Sequence, residues 1–123
     1  MKTTAKHFAL FKAECRKWLD RFGLKGWRVE FFHDDHADIS NARAWYQVNS
    51  IVDRCASIGL TSEWQPDSIT NEKIKVSAFH EACELFLVRL RVLAGARFID
   101  ESEIDEECHA IIRTLENVFF EAR

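Results

Sequence analysis

The sequence predicts a single α+β domain in which one helix, three strands and two further helices follow one another along the chain. Apolar residues recur every three or four positions over residues 4–22, and at every second position in parts of 27–60. Helical spacing returns from about residue 71 to residue 119. Because 123 residues suit one compact domain, we assign residues 1–123 to a single α-β-β-β-α-α unit.

The first helix is predicted by an amphipathic pattern over residues 4–22. Gly23 follows as the stop, because glycine readily takes the left-handed conformation that ends helices. The outer face is basic, and residues 1–30 carry eight basic side chains against three acidic ones. We expect this face to be solvated rather than bound to phosphates. The buried face is predicted to contain Phe8, Phe11, Cys15, Trp18, Leu19 and Phe22.

Three short strands are predicted where apolar and polar residues alternate, at residues 27–32, 42–48 and 55–60. Because the connections between them are short, we expect a three-stranded antiparallel meander. Helices would cover one face of this sheet. Aromatic residues on the other face or its turns would either mark a partner surface or be covered by the loop after the third strand. These aromatic residues are Phe32, Trp45 and Trp64.

Two helices are predicted to complete the chain. The first begins after Thr70 or Asn71 and continues to about Ala96, and it is apolar on most sides, which indicates a buried central helix. The second is capped by Ser102 or Asp100. Its predicted core-facing residues are Ile104, Cys108, Ile111, Leu115, Val118 and Phe119.

The net charge and the cysteine content indicate the class of binding partner and the cellular compartment. The net charge of −3 favours neither nucleic acid nor an anionic membrane as a partner, so a peptide or protein is the expected one. The N-terminus lacks the apolar stretch of a secretory leader, and no apolar run is long enough to span a membrane. The four cysteines form no C-x-x-C pair, which is typical of a reduced, cytoplasmic protein. Composition does not determine the oligomeric state.

A possible metal-binding motif lies in the predicted central helix, where His80, Glu81 and Glu84 form the pattern H-E-x-x-E. Residues four apart share a helix face, so His80 and Glu84 can point at one ion. In H-E-x-x-H metallopeptidases two such histidines bind zinc and the intervening Glu is the general base. By this pattern Glu81 is the candidate catalytic residue.

A further ligand is expected from the acidic segment of the last helix, because zinc sites need at least three protein ligands. Residues 98–110 carry six acidic side chains and no Lys or Arg. Glu107 lies at helical spacing from Ile104 and Ile111 and should face inward with them. The other candidates on this segment are Glu103, Glu106 and His109. Cys83 and Cys108 neighbour these positions, and they are predicted to be core residues rather than thiolate ligands.

The segments AFHEACELFLVRL and ESEIDEECHAIIRTLENVFF resemble the C-terminal half of small phage and prophage proteins related to zincin metallopeptidases. The resemblance covers roughly residues 27–119. It implies a minimal zincin-like fold, zinc bound by His80 and Glu84, Glu81 as the base, and a carboxylate from residues 103–107 as third ligand. It also implies action in the cytoplasm of a phage host. Glu84 departs from the peptidase pattern, because it stands where the pattern has the second histidine. A second carboxylate makes the ion a weaker Lewis acid and accepts harder metals than zinc.

Two hypotheses about function follow. In the first, the protein is a metal-dependent peptidase whose third strand, around residues 55–60, aligns an extended substrate beside Glu81. In the second, it is a non-catalytic phage accessory protein that binds a host or viral protein. His80, Glu81 and Glu84 would then form a hydrogen-bonded polar cluster with Arg89, Arg91 or His109.

Overall fold

A computed structural model describes residues 1–35, 42–64 and 68–120 of the chain. Its helices and strands follow the predicted order, with one additional break in the central helix, so the α+β class is confirmed. Among the described residues, no helix is long and apolar enough to cross a membrane. The elements are α1 (Ala5–Arg21), β1 (Arg28–Asp34), β2 (Ala44–Ser50), β3 (Cys55–Thr61), α2 (Asn71–Phe86), α3 (Val88–Ala94) and α4 (Glu101–Phe119).

The first helix forms where the sequence predicts it, and both of its ends have a local cause. The Thr4 hydroxyl accepts a hydrogen bond from the backbone N–H of His7, while the His7 ring accepts one from the Thr4 backbone in return. At the other end Gly23 has a φ of +75°, the left-handed conformation expected of it. Buried side chains on one face, Phe11 among them, anchor α1 in the core.

The sheet is mixed, and the prediction of a purely antiparallel meander is wrong. Its strand order is β1-β3-β2, with β1 parallel to β3 and β2 antiparallel to β3. The reason is the apolar character of β3, which is buried from Ala56 to Thr61 and therefore needs a neighbour on each side. β3 therefore lies between β1 and β2, which are not paired with each other.

The second face of the sheet carries an aromatic pair rather than a helix. Trp45 stacks on Phe32 with ring centroids 5.8 Å apart, and its indole lies directly over Gly59. A Cβ at position 59 would lie 2.1 Å from the Trp45 ring, so only glycine allows this approach. Trp64 is buried in the main core instead, as expected if the segment after β3 folds inward.

The predicted central helix is interrupted at Leu87, which ends α2 and precedes α3. Thr70 caps α2 and Asp100 caps α4, in agreement with the sequence. The expected burial of the last helix is wrong in degree, because no residue of α4 is buried. This helix packs mainly on α3, and of its predicted core line only Val118 contacts the main core.

Candidate functional site

The H-E-x-x-E pattern lies on α2, whose two faces have different surroundings. Glu81 is buried, with 6% of its surface exposed, whereas His80 is exposed. Successive residues on a helix point about 100° apart, so the two side chains leave α2 in different directions. α2 packs against α1 on one side and against β2 on another. The candidate base, Glu81, is therefore buried, whereas the first candidate ligand, His80, is exposed at the surface.

Burial changes the acid–base behaviour of Glu81. Desolvation, followed by the negative charge of Glu84, raises its pKa from the ordinary value of 4.5 to about 7. Glu81 also influences Cys15 on α1, whose pKa is raised by burial first and then by this carboxylate. The Cys15 thiol donates a hydrogen bond to the backbone oxygen of Ala78, as a buried structural cysteine does.

Glu84 has a cationic partner of its own. The Arg91 guanidinium donates a hydrogen bond of 2.8 Å to the Glu84 carboxylate and one of 3.0 Å to the Tyr46 hydroxyl. These three side chains, named here the Arg91 cluster, join α2, α3 and β2. The pKa of Tyr46 is raised, chiefly by burial and then by the charge of Glu84. Arg91 therefore binds a carboxylate that the sequence predicts to bind a metal.

Glu107 faces inward as predicted, but it is paired elsewhere. Its carboxylate accepts a hydrogen bond of 3.1 Å from Arg89, and only 14% of the Glu107 side chain is exposed. Arg89 and Arg91 are two residues apart on α3, so their side chains leave the helix in directions about 200° apart. Glu84 and Glu107 are consequently held by different sides of α3.

The other candidates on α4 lie at the surface. Glu103 and Glu106 are exposed, and the exposed His109 ring contacts the backbone oxygen of Asp105 one turn earlier at 2.9 Å. Cys83 and Cys108 are half-buried free cysteines. The acidic segment thus faces α3 and solvent instead of the His80 side of α2.

The predicted ligand set is not brought together. Within residues 1–35, 42–64 and 68–120, no group of three or more His, Cys, Asp or Glu side chains is arranged to hold a metal. His80, Glu84, Glu107 and His109 form no such group, and both of their carboxylates, Glu84 and Glu107, pair with arginines of α3. The metal site remains a prediction from the sequence alone.

The structure also changes which strand lies beside Glu81. The sequence predicts β3 for this place, but β3 is central and hydrogen-bonded on both sides. Among the described strands, β2 has the most extensive contact with α2, and it lies at one edge of the sheet. Tyr46, which is the contribution of β2 to the Arg91 cluster, is not among the site residues predicted from the sequence. Its signal was weak, because alternation places Tyr46 on the core face without indicating that its hydroxyl has a charged neighbour.

This arrangement can hold an extended chain at the β2 edge and can exchange a proton at Glu81, but it presents no converging metal ligands among the described residues. Comparison of the chain with protein-family models, with curated proteins and with solved structures found no significant match in any of the three.

Proposed function

We propose that this protein is a non-catalytic binding protein that holds a polypeptide partner beside a peptidase-like helix. The observation that carries this proposal is the double contact of Arg91 with Glu84 and Tyr46. A guanidinium that donates to a carboxylate occupies one of its acceptor sites, and its positive charge repels a dication. The second hypothesis from the sequence places Glu84 in such a polar cluster.

The contribution of this ion pair concerns geometry more than stability. The side chains of Glu84 and Arg91 are 22% and 55% exposed, so water screens their attraction. Pairs of this kind contribute about 0–1 kcal/mol. The Arg91 cluster therefore acts by positioning α3 and β2 relative to Glu84.

The partner surface that we assign is the outer edge of β2. This strand has β3 on one side and no strand on the other within the described residues. An extended polypeptide can hydrogen-bond to such an edge, and side-chain contacts then select its sequence. Tyr46 and Arg91 supply a hydroxyl and a guanidinium next to that edge. By the resemblance to phage proteins, the partner would be a host or viral protein in the host cytoplasm.

Metal uptake tests the non-catalytic part of the proposal. We expect protein purified without chelator to contain no stoichiometric zinc, manganese or iron by elemental analysis, and titration with zinc to leave its melting temperature unchanged. The variant Arg91→Met removes the guanidinium and keeps an apolar chain of similar length. It therefore tests whether the guanidinium is what keeps zinc from Glu84. Stoichiometric zinc in the wild type that is lost in His80→Ala would contradict the proposal.

Amide hydrogen exchange tests the assigned edge. A pool of random extended nonapeptides is the probe, and we expect selected peptides to slow exchange in β2 while exchange in β1 stays unchanged. The matched variants are Gln47→Pro on β2 and Glu30→Pro on β1, each at an exposed position of an edge strand. Binding that survives Gln47→Pro and fails in Glu30→Pro would assign the partner to the other edge.

A second candidate function, a metal-dependent peptidase, is favoured by Glu81. A carboxylate with a pKa of about 7 is suited to general-base catalysis near neutral pH. For this candidate we expect zinc- or manganese-dependent cleavage of an unstructured polypeptide. Glu81→Gln should abolish cleavage while metal content is retained, and unchanged cleavage in that variant would exclude Glu81 as the base.

A further inference from the structure

An apolar stripe runs along the outer face of α4. Ile104, Cys108, Ile112, Leu115 and Phe119 follow one another at intervals of four, four, three and four residues, which places them on one helix face. We name these five residues the α4 stripe. Four of them are exposed, Ile112 to 51% and Phe119 to 64%. A neighbouring face of α4, which includes Glu107 and Thr114, lines a groove against α3 and the turn that follows α1.

The acidic character of this surface is concentrated at one end. Asp100, Glu101 and Asp105 share a concave surface with Ile104 and Cys108. Residues 98–110 include no Lys or Arg that could neutralise these carboxylates from within the segment. A binding partner for the α4 stripe must therefore combine an apolar surface with positive charge.

Such a surface exists elsewhere on the same molecule. Trp18, Val76 and Phe79 form an apolar surface between α1 and α2, named here the α1/α2 patch. Val76 is 54% exposed and Phe79 is 37% exposed. The Trp18 and Phe79 rings pack edge to face, with their centroids 4.8 Å apart. This rigid aromatic pair is typical of the centre of a protein interface.

Cations surround the α1/α2 patch. The charged groups of Lys17 and Arg21 lie 5.0 Å and 5.4 Å from the centroid of the Trp18 ring, and Lys75 borders the same depression. Among the described residues that line this depression, one is a carboxylate: Glu14, whose side chain is 12% exposed and contacts both lysines. The rim of this patch is therefore positive, whereas the rim of the α4 stripe is negative.

We propose that the α4 stripe of one copy of this chain docks on the α1/α2 patch of a second copy. Both surfaces are apolar at the centre and carry opposite charge at the rim, so each supplies what the other needs. Because the two surfaces belong to different elements, the contact is not between identical patches. A two-fold pair would make it twice, and successive copies would make it once each.

Two variants and two matched controls test this contact by sedimentation equilibrium. Ile112→Arg places a cation in the α4 stripe, and Val76→Glu places a carboxylate in the α1/α2 patch. The controls are Ile51→Arg and Val52→Glu, at exposed apolar residues of the turn between β2 and β3. We expect the wild type to associate, each test variant to raise the dissociation constant by roughly tenfold or more, and the controls to behave as wild type. Thermal unfolding verifies that all four variants are folded.

Mixing the two test variants decides which surfaces meet. The Val76→Glu chain retains its α4 stripe and the Ile112→Arg chain retains its α1/α2 patch, so we expect the mixture to form a dimer that neither variant forms alone. A mixture that stays monomeric while the wild type associates would overturn the proposal, and a Val76→Glu chain that associates like the wild type while Ile112→Arg does not would favour contact between two α4 helices instead. A wild type that is monomeric at about 0.5 mM would also overturn it.

Discussion

The region around α2 and the helix α4 contain similar residues but bury them to different extents. Both carry carboxylates next to apolar side chains and both pair a glutamate with an arginine of α3. α2 buries six residues, Glu81 among them, whereas α4 buries none. The contrast shows that an acidic residue acquires unusual chemistry from the element that surrounds it. Glu81 is buried among other residues, whereas Glu103 and Glu106 are exposed to solvent.

The largest expected difference between the two regions is in the cost of removing an isoleucine. Ile74 on α2 is completely buried, and Ile74→Ala should reduce the free energy of unfolding by about 2–5 kcal/mol through lost burial and a cavity. Ile112 on α4 is about half exposed, so Ile112→Ala should change it by about 0.5 kcal/mol or less. Urea unfolding at a dilution where the chain is monomeric measures both. Equal losses would mean that α4 belongs to the core.

Three of the helix boundaries could be predicted because their causes are local, whereas the break at Leu87 could not. Thr70, Asp100 and Gly23 begin or end helices through local structure, and the sequence indicates Gly23 directly and Thr70 and Asp100 each as one of two candidates. The strand order could not be read from alternation, because it depends on which strand is buried on both faces. The unbroken burial of Ala56–Thr61 in the structure is the property that makes β3 central.

The candidate site was predictable only in part, for a physical reason. Helical spacing turns Glu107 inward, as the structure has it, whereas of His80 and Glu84, which it places on one face of α2, His80 is exposed and Glu84 is half-buried. The partner of each carboxylate depends on the direction of α3 after the break at Leu87, and no spacing rule gives that direction. The break sends Arg91 to Glu84 and Arg89 to Glu107, which separates the two carboxylates.

Between pH 5 and pH 8 a pH dependence of stability should come from Glu81 on α2. The pKa of Glu81 is raised in the folded protein, so the folded state holds a proton that the unfolded state loses. Stability from this group is fully present below about pH 4.5 and is lost as the pH rises through about 7. The shift corresponds to about 3 kcal/mol at most. Urea unfolding between pH 5 and pH 8 measures it.

The controls for this pH dependence are two glutamine variants. Glu81→Gln should flatten the profile, because the amide cannot titrate, and Glu101→Gln on the exposed first turn of α4 should leave it unchanged. A profile that remains steep in Glu81→Gln would assign the titration to another group.

The helix caps should reveal different degrees of cooperativity in the two regions. Thr70→Ala and Asp100→Ala each remove a side-chain acceptor of a backbone N–H, at a cost of about 1 kcal/mol to the capped helix. Because α2 is part of the core, Thr70→Ala should lower the global free energy of unfolding. Because α4 has no buried residue, Asp100→Ala should mainly accelerate amide exchange within α4. A global loss of the same size in both variants would contradict independent opening of α4.

The smallest expected effect compares the two arginines of α3. Double-mutant cycles for Glu84 with Arg91 and for Glu107 with Arg89 should each give a coupling of about 1 kcal/mol or less, because both guanidinium groups are largely exposed. The two pairs should nevertheless differ in what they position. Arg91 also donates to Tyr46, so Arg91→Ala should change the amide chemical shifts of β2, whereas Arg89→Ala should change those of α4. If neither arginine affects its assigned element, the ion pairs are incidental surface contacts, and the positioning of Glu84 must come from the packing of α2 against β2.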